Sequence, residues 1–460
     1  MHIQQLYTNC LAQAAYYIES NGEAAIIDPL RDIDIYIELL KKRGVKLKYI
    51  LETHFHADFV SGHIDLSQMT GASIVFGPGA APNYKAYIAQ DNEILKVGDC
   101  QIQVLHTPGH TLESVCFLLI DDENKPHSLF SGDTLFIGDV GRPDLLSGNL
   151  SADVLGSMLY MSLHDKIMPL NDDIVLYPGH GAGSACGRSM SSDTVSTIGA
   201  QKKHNYALQP QSREDFIEAV TKDQPLPPSY FFKDAVINKT GYKPLSEVLH
   251  RELIKISSED LLKYTKDSVT ILDVRKADEF AELHIKNAIN IGLSGSYAVW
   301  AGTLIPIDNK LVIICNKNDE KDAIVRLGRV GYENILGYWN EPITELKDTT
   351  IQLSSIESIE ANVIPLYIQN KKALVIDIRT PSEFEKNKFQ GAINIPLNQF
   401  PNFINTLNKS DVILLYCAGG YRSMIAASLL QKEGFTNIVN VNGGMSKIEL
   451  LLRELVEYVF

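Results

Sequence analysis

Cysteine is scarce in this 460-residue chain, and the six present (Cys10, Cys100, Cys116, Cys186, Cys315 and Cys417) stand far apart with no CxxC pair. A disulfide framework is therefore not expected, and a reducing compartment is. The first twenty residues, MHIQQLYTNCLAQAAYYIES, lack the basic segment and apolar run of a secretory signal. No apolar run reaches the ~18–20 residues of a membrane span. Basic residues are also in deficit, 42 Lys and Arg against 56 Asp and Glu, for a net charge of -14. That weighs against coating nucleic acid, because neutralising phosphates takes clustered Lys and Arg. These absences lead to the expectation of a cytoplasmic protein with neither nucleic acid nor membrane among its partners.

What remains is ordinary globular composition, 45% hydrophobic and 21% charged. At roughly 100–200 residues per domain the length predicts more than one domain. Each has room for a full core, so no disulfide or structural metal is needed merely to fold.

The N-terminal half alternates short β-rich runs with turns. Residues 14–29 read as a hairpin about Asn21-Gly22, 31–44 as a helix, and 46–54 as a strand. Further strands are predicted at 73–77, 100–110, 114–122, 127–133 and 173–180. Residues 200–255 read as a closing helix followed by a Pro-rich, irregular linker. The C-terminal half repeats itself: ILDVRKADEF returns as VIDIRTPSEF, and NAINI as GAINI, about 104 residues later. Each copy alternates strands and helices, which predicts an α/β unit with a mostly parallel sheet.

Candidate metal ligands lie just beyond predicted strands: His54, His56 and Asp58 in THFHAD, His110 in TPGH, Asp133 in SGD, and His180 in YPGH. His54 and His56 are two apart, a spacing that points both to one side of an extended strand end. An isolated HxH is more often a solvated strand end, but four strand ends with a His or Asp beside a Gly argue for a site. Imidazole and carboxylate donors without thiolate suit Fe, Mn or Zn.

In order and content, IIDP, THFHAD, TPGHT, SGDTLF and YPGH resemble the metallo-β-lactamase fold. Hydrolases of that superfamily such as glyoxalase II follow HxHxD with a second His for a second metal, where this chain has Phe59. The stretch GDTLFIGDVGRPDLLSGN (132–149) is similar to the corresponding loop of persulfide dioxygenases. That resemblance implies one Fe(II) per N-terminal domain, with Zn or Mn as alternatives in isolated protein. It further implies His54, His110 and Asp133 as ligands, leaving His56, Asp58 and His180 to orient them or to bind metal themselves. Arg142 and Asp144 then become candidates for holding the thiol carrier, with a loop-stabilising ion pair as the alternative. Cys186, on the Gly-rich loop six residues after His180, either handles sulfur or is a buried free thiol.

The run VILLYCAGGYRSMIAASLL (412–430) predicts a buried strand, Cys417, a Gly-containing loop with Gly419 and Gly420, Arg422, and a helix. Backbone N–H groups and a helix N-terminus favour an anion at the Cys position, and so a reactive thiolate. With DIRTPSEF and GAINIP this resembles an active rhodanese sulfurtransferase. The first copy has Cys315 followed by NKNDEKD, with no Gly pair and no Arg. Asp319, Glu320 and Asp322 there would oppose a thiolate, so that copy is read as degenerate and inactive.

The expected fold class is multidomain α/β: an N-terminal αββα metallo-β-lactamase sandwich (1–245), then two rhodanese-like α/β domains with parallel sheets, degenerate at 246–350 and active at 351–460. The resemblance implies a persulfide dioxygenase-sulfurtransferase of persulfide detoxification. Its expected substrates and products are a glutathione or coenzyme A persulfide, O2, and sulfite or thiosulfate, and a homo-oligomer is expected. The alternative is a Zn-dependent thioester hydrolase of glyoxalase II type with a rhodanese appended.

Overall fold

The strand Gln13–Ser20 shows how the N-terminal half is built. Its alternate residues Ala14, Tyr16 and Ile18 join one apolar cluster, and Ala15 and Tyr17 join another. A strand buried on both faces belongs to a sheet covered on both sides. In the computed structural model, which describes residues 1–145, 150–188, 190–222, 224 and 226–458, that is what the chain forms.

The first sheet runs in sequence order: β1 (His2–Thr8), β2 (Gln13–Ser20), β3 (Glu23–Ile27), β4 (Lys46–Leu51), β5 (Ser73–Phe76) and β6 (Tyr87–Ile88). The second runs from β7 (Ile94–Val97) through β8 (Cys100–His106), β9 (Val115–Ile120), β10 (Pro126–Gly132) and β11 (Val175–Pro178) to β12 (Ser196–Thr197). β2 and β3 form the expected hairpin, with Asn21 at φ 43° and Gly22 at φ 79° in its turn.

Between the sheets lie Tyr16, Ile27 and Leu51 from one side and Val104, Phe117 and Phe130 from the other. Truncating a ring such as Phe117 to Ala costs about 3–5 kcal/mol in cores of this kind. Helices Asp34–Arg43 and His63–Thr70 cover the outer face of the first sheet, through Tyr36, Leu40 and Leu66. Helices Ala152–Ser162 and Arg213–Thr221 cover the second, through Leu159, Phe216 and Val220. This is the expected αββα sandwich.

Part of the stretch read as an irregular linker is a helix, Phe231–Thr240. Pro227 and Pro228 precede its first turn, and none interrupts it. Prolines there end the preceding coil without breaking the helix.

The chain divides into two compact units, Met1–Glu247 with Gly328–Gly331, and Val248–Leu327 with Tyr332–Phe460. The second unit holds both repeats, each around its own parallel sheet. In the first the strand order is Ile289–Asn290, Thr270–Asp273, Leu311–Ile314, Ile335–Trp339. In the second it is Glu357–Ile359, Ile438–Val441, Ile413–Tyr416, Leu374–Asp377, Ile393–Asn394.

Candidate metal centre and sulfur-transfer loop

The strand ends deliver the predicted ligands to one place. His54, His56 and Asp58 follow β4, His110 follows β8, Asp133 follows β10 and His180 follows β11, and all six are buried. Donor atoms of His54, His110 and Asp133 lie within 4.8 Å of one another, as do those of His56, Asp58 and His180.

Hydrogen bonds fix the histidine tautomers. The Thr53 hydroxyl donates to Asp28 Oδ2 (2.8 Å), so its oxygen accepts from His54 Nδ1 (3.0 Å). His110 Nδ1 donates to the Arg142 carbonyl (2.9 Å), and His180 Nδ1 to the Ala12 carbonyl (3.2 Å). Each ring therefore directs its Nε2 inward. Those of His54 and His110 face Asp133 Oδ2 at 3.9 and 3.5 Å, and that of His180 faces Asp133 Oδ1 at 3.5 Å. Neither Asp133 oxygen has a hydrogen-bond donor. Lone pairs crowded against a buried carboxylate repel unless a cation sits among them, so His54, His110 and Asp133 fit a metal. Burial and the neighbouring His56, His110 and His180 hold His54 well below the usual imidazole range, which keeps it a neutral ligand.

His56 stands apart. Its Nε2 lies 3.0 Å from Asp28 Oδ1 and 3.7 Å from Glu52 Oε2. Burial alone would lower its pKa, but Asp28, with Glu52 and Asp58, holds it up at about 9. Phe59, fully buried, packs its ring on His56 at 4.3 Å. The phenyl ring thus occupies space beside the site and supplies no donor. Asp58 Oδ2 approaches His180 Nε2 at 3.3 Å, and its Oδ1 is unpartnered.

The loop carrying these residues is fastened by groups that spacing did not reveal. Asp28, at φ 49°, accepts the Thr53 N–H as well as its hydroxyl. Buried Asn238, on the helix Phe231–Thr240, donates to the carbonyls of His56 and Phe59 (both 2.7 Å) and accepts the Ser61 N–H (2.9 Å). One turn earlier, Asp234 is fully buried with neither oxygen hydrogen-bonded, and burial together with Asp58 pushes its carboxyl well up. A lone Asn in a segment read as irregular carries no sequence signal; the apolar period of its helix was the available clue.

Arg142 and Asp144 meet each other. The guanidinium donates through Nε (2.7 Å) and Nη2 (2.6 Å) to the two carboxylate oxygens, while Nη1 is buried without a partner. The Arg142 backbone does as much as its side chain: its carbonyl orients His110, and its N–H donates to the Cys186 carbonyl (3.0 Å). Gly141 precedes it because a Cβ there would collide with the Asp133 carbonyl oxygen. Cys186 is buried, with donor atoms of Asp133, His180 and Cys186 within 4.8 Å of one another. Burial, Asp58 and Asp133 push its thiol well up. The remainder of the GRPD loop, residues 146–149, lies outside the described residues.

In the second unit, Cys417 follows the strand Ile413–Tyr416 and its Sγ accepts the Gly420 N–H (3.1 Å). Gly420 is at φ 98°, conformation that a side chain would strain, and it caps the helix Tyr421–Lys432. Gly419 is not in that region, and a Cβ there meets nothing within 4 Å, so only one of the two glycines is required by the backbone. Arg422 forms a two-pronged pair with Glu383 of the SEF motif, both contacts 2.7 Å. Tyr421 reaches into the first repeat: its hydroxyl donates to the Gly292 carbonyl (2.9 Å), and Gly295 lies flush against its ring. Arg326 holds that same segment by donating to the carbonyls of Leu293 (2.8 Å) and Gly295 (3.1 Å).

Cys315, in the first repeat, is pushed up to about 12 by burial, then by Glu320, Asp319 and Asp273. The third carboxylate is therefore Asp273, not Asp322. A cavity of about 600 Å³ lies over Cys315, lined by Arg275, Lys317 and Lys347 and by Glu279, Glu282 and Glu341.

Comparison with known proteins agrees with both halves. The metallo-beta-lactamase superfamily model matches residues 8–180, and the rhodanese-like domain model matches residues 257–341 and 365–450. The hydroxyacylglutathione hydrolase GloC of Haemophilus influenzae is 31% identical over 216 residues, which is 42% of this chain and 91% of that protein. A probable hydroxyacylglutathione hydrolase of Schizosaccharomyces pombe is 33% identical over 35% of this chain, which spans only 60% of that relative's length. The crystal structure of a metallo-beta-lactamase from Staphylococcus aureus superposes with a TM-score of 0.67 at 32% identity, covering 74% of this chain and 99% of its own. The chain belongs to the metallo-beta-lactamase superfamily and carries, after that fold, two rhodanese-like domains.

Proposed function

We propose that the chain is an Fe(II)-dependent persulfide dioxygenase joined to a sulfurtransferase, acting on the persulfide of a small thiol of the glutathione or coenzyme A class. The observation that carries this reading is a thiolate-free trio of His54, His110 and Asp133 in one chain with the Cys417 loop. His56 is turned to Asp28 and Phe59 fills the neighbouring position, which supports a single working metal.

His54, His110 and Asp133 would hold Fe(II), which when bound would supply the activation of O2 beside the substrate. The protein's part is to bury those ligands, to aim His54 through Thr53 and His110 through Arg142, and to hold the His56 loop through Asn238. In the overall reaction a persulfide, O2 and water give thiol, sulfite and two protons. The S–S bond breaks, and the outer sulfur is oxidised to sulfite, O2 taking up the electrons it loses.

In the second unit the Cys417 sulfur attacks the outer sulfur of a further persulfide, and the carrier thiol leaves with its proton. Sulfite then attacks the sulfur now on Cys417, releasing thiosulfate and the free thiolate. The Gly420 N–H and the helix start favour negative charge at that sulfur. The first rhodanese copy, with Cys315 deterred from ionising, serves to seat Tyr421 and so the catalytic loop.

A second reading has support of its own. The curated relatives are named hydroxyacylglutathione hydrolases, and Asp58 and His180 keep donors beside Asp133. On that reading the first unit is a Zn-dependent thioester hydrolase. Iron-loaded full-length protein given glutathione or coenzyme A persulfide in an oxygen electrode separates the two. Oxygen uptake matched mole for mole by sulfite and thiosulfate together is expected. Thioester hydrolysis without O2, and no uptake with any thiol persulfide, would overturn the dioxygenase.

A further inference from the structure

We propose that the cavity over Cys315, in the first rhodanese-like repeat, binds a small zwitterionic peptide thiol of the glutathione class and holds it without reaction. The assignment does not depend on which reaction the His54, His110 and Asp133 group runs.

The two repeats share a scaffold but engage its polar groups differently. In the second, Arg379 is fully occupied: Nε and Nη2 hold Asp377, Nη2 also donates to the Asn387 carbonyl, and Nη1 donates to Asn387 Oδ1 (2.9 Å). The first repeat has Leu283 at the position of Asn387. Arg275 still clasps Asp273 and donates through Nη2 to the Leu283 carbonyl (2.9 Å), but its Nη1 has no partner among the described residues. That side chain is only 10% exposed and borders the cavity. The glutamate of the motif is released in the same way. Glu383 is clamped by Arg422, whereas the loop after Cys315 carries no arginine. Glu279 keeps Oε1 for the cavity, while its Oε2 accepts from the Lys276 N–H (3.1 Å) and from Asn316 Nδ2 (3.3 Å). Asn340 Oδ1, on the same wall, is buried with no donor.

A cavity of about 600 Å³ is of ordinary size for a small ligand. Lys317 and Lys347 bring two exposed ammonium groups to it, and Glu279 and Glu282 two carboxylates. The third carboxylate, Glu341, is paired with Lys255. Balanced opposite charges disfavour a simple anion and a simple cation alike, and match a molecule that carries both signs. Arg275 Nη1 adds a donor for a carboxylate, and Asn340 Oδ1 an acceptor for an ammonium. Cys315, Leu283 and Ile343 supply the apolar part of the wall, suited to a thiol or thioether. Because its own thiol is pushed up to about 12, Cys315 stays protonated and takes no sulfur from the guest.

Trp339 reports on this cavity: it precedes Asn340, and its carbonyl accepts the Cys315 N–H (3.0 Å). Trp300→Phe leaves it the only tryptophan of the chain. Full-length Trp300→Phe protein titrated with S-methylglutathione, which has no thiol to exchange, should show a saturable change in fluorescence. Lys347→Glu and Glu279→Gln in that background should each weaken binding several-fold, with thermal melting confirming that both fold. N-acetyl-S-methylglutathione, which lacks the ammonium, should also bind several-fold more weakly. No saturable change, equal binding of the N-acetyl compound or of thiosulfate, or full affinity in either variant would each overturn the proposal.

Discussion

Asn238→Ala tests the idea that a helix beyond the two sheets holds the metal loop. The side chain satisfies two carbonyls, His56 and Phe59, and one N–H, Ser61, through bonds of 2.7, 2.7 and 2.9 Å, all buried. Each such bond contributes about 1 kcal/mol net, so losing three costs roughly 3 kcal/mol. For a unit of this size each kcal/mol moves the melting point by about 2–4 °C, so a fall of roughly 6–12 °C is expected. The loop carries His54, and removal of a group that orients ligands typically weakens metal binding ~10–100-fold. Asn238→Asp sharpens the test, because it keeps the acceptor for Ser61 but sets a carboxylate against two carbonyls. It should lose metal at least as readily as the alanine variant. The assay is iron retained after dialysis against a weak chelator, with melting followed calorimetrically in parallel. If both variants keep parental iron and melt within about a degree of the parent, the helix does not position the loop and the reasoning fails.

Three further outcomes follow from the second unit. Glu383, despite partial burial, is held at about 2 chiefly by its hydrogen bonds from Arg422. A depressed carboxylate stabilises the fold above its ordinary value near 4.5 and stops doing so as pH falls towards 2. Glu383→Gln should therefore lower the melting point at pH 7 and converge with the parent across that window; an equal deficit throughout would contradict the assignment. Tyr421→Phe removes the bond to Gly292 while keeping the ring against Gly295, so thiosulfate formation should fall several-fold with Cys417 still titratable. An unchanged rate would deny the first repeat its seating role. With Cys315 at about 12, iodoacetamide at pH 8 should label Cys417 and spare Cys315, as peptide mass mapping would read. Cys315→Ala should transfer sulfur normally and Cys417→Ala not at all.

The sequence by itself determined the two-part plan. Period-two patterning buried on both faces specifies covered sheets, and glycines beside His or Asp at strand ends mark where loops converge, so the sandwich and the meeting of its six candidate residues were legible. The tandem motifs likewise located Cys417 and its degenerate counterpart. Only the tertiary structure decided which partner each of those residues meets. His54 and His56 look equivalent in HxH and their rings lie 4.2 Å apart, yet their nitrogens meet different partners, Thr53 at His54 Nδ1 and Asp28 at His56 Nε2. Arg142 and Asp144 turned out to satisfy each other, and of the glycine pair only Gly420 takes a left-handed backbone. Asn238, about 180 residues along from the loop it holds, was beyond local reading. Periodicity and turn chemistry are written in neighbouring residues; the partner of a buried donor is chosen by which distant segment packs beside it.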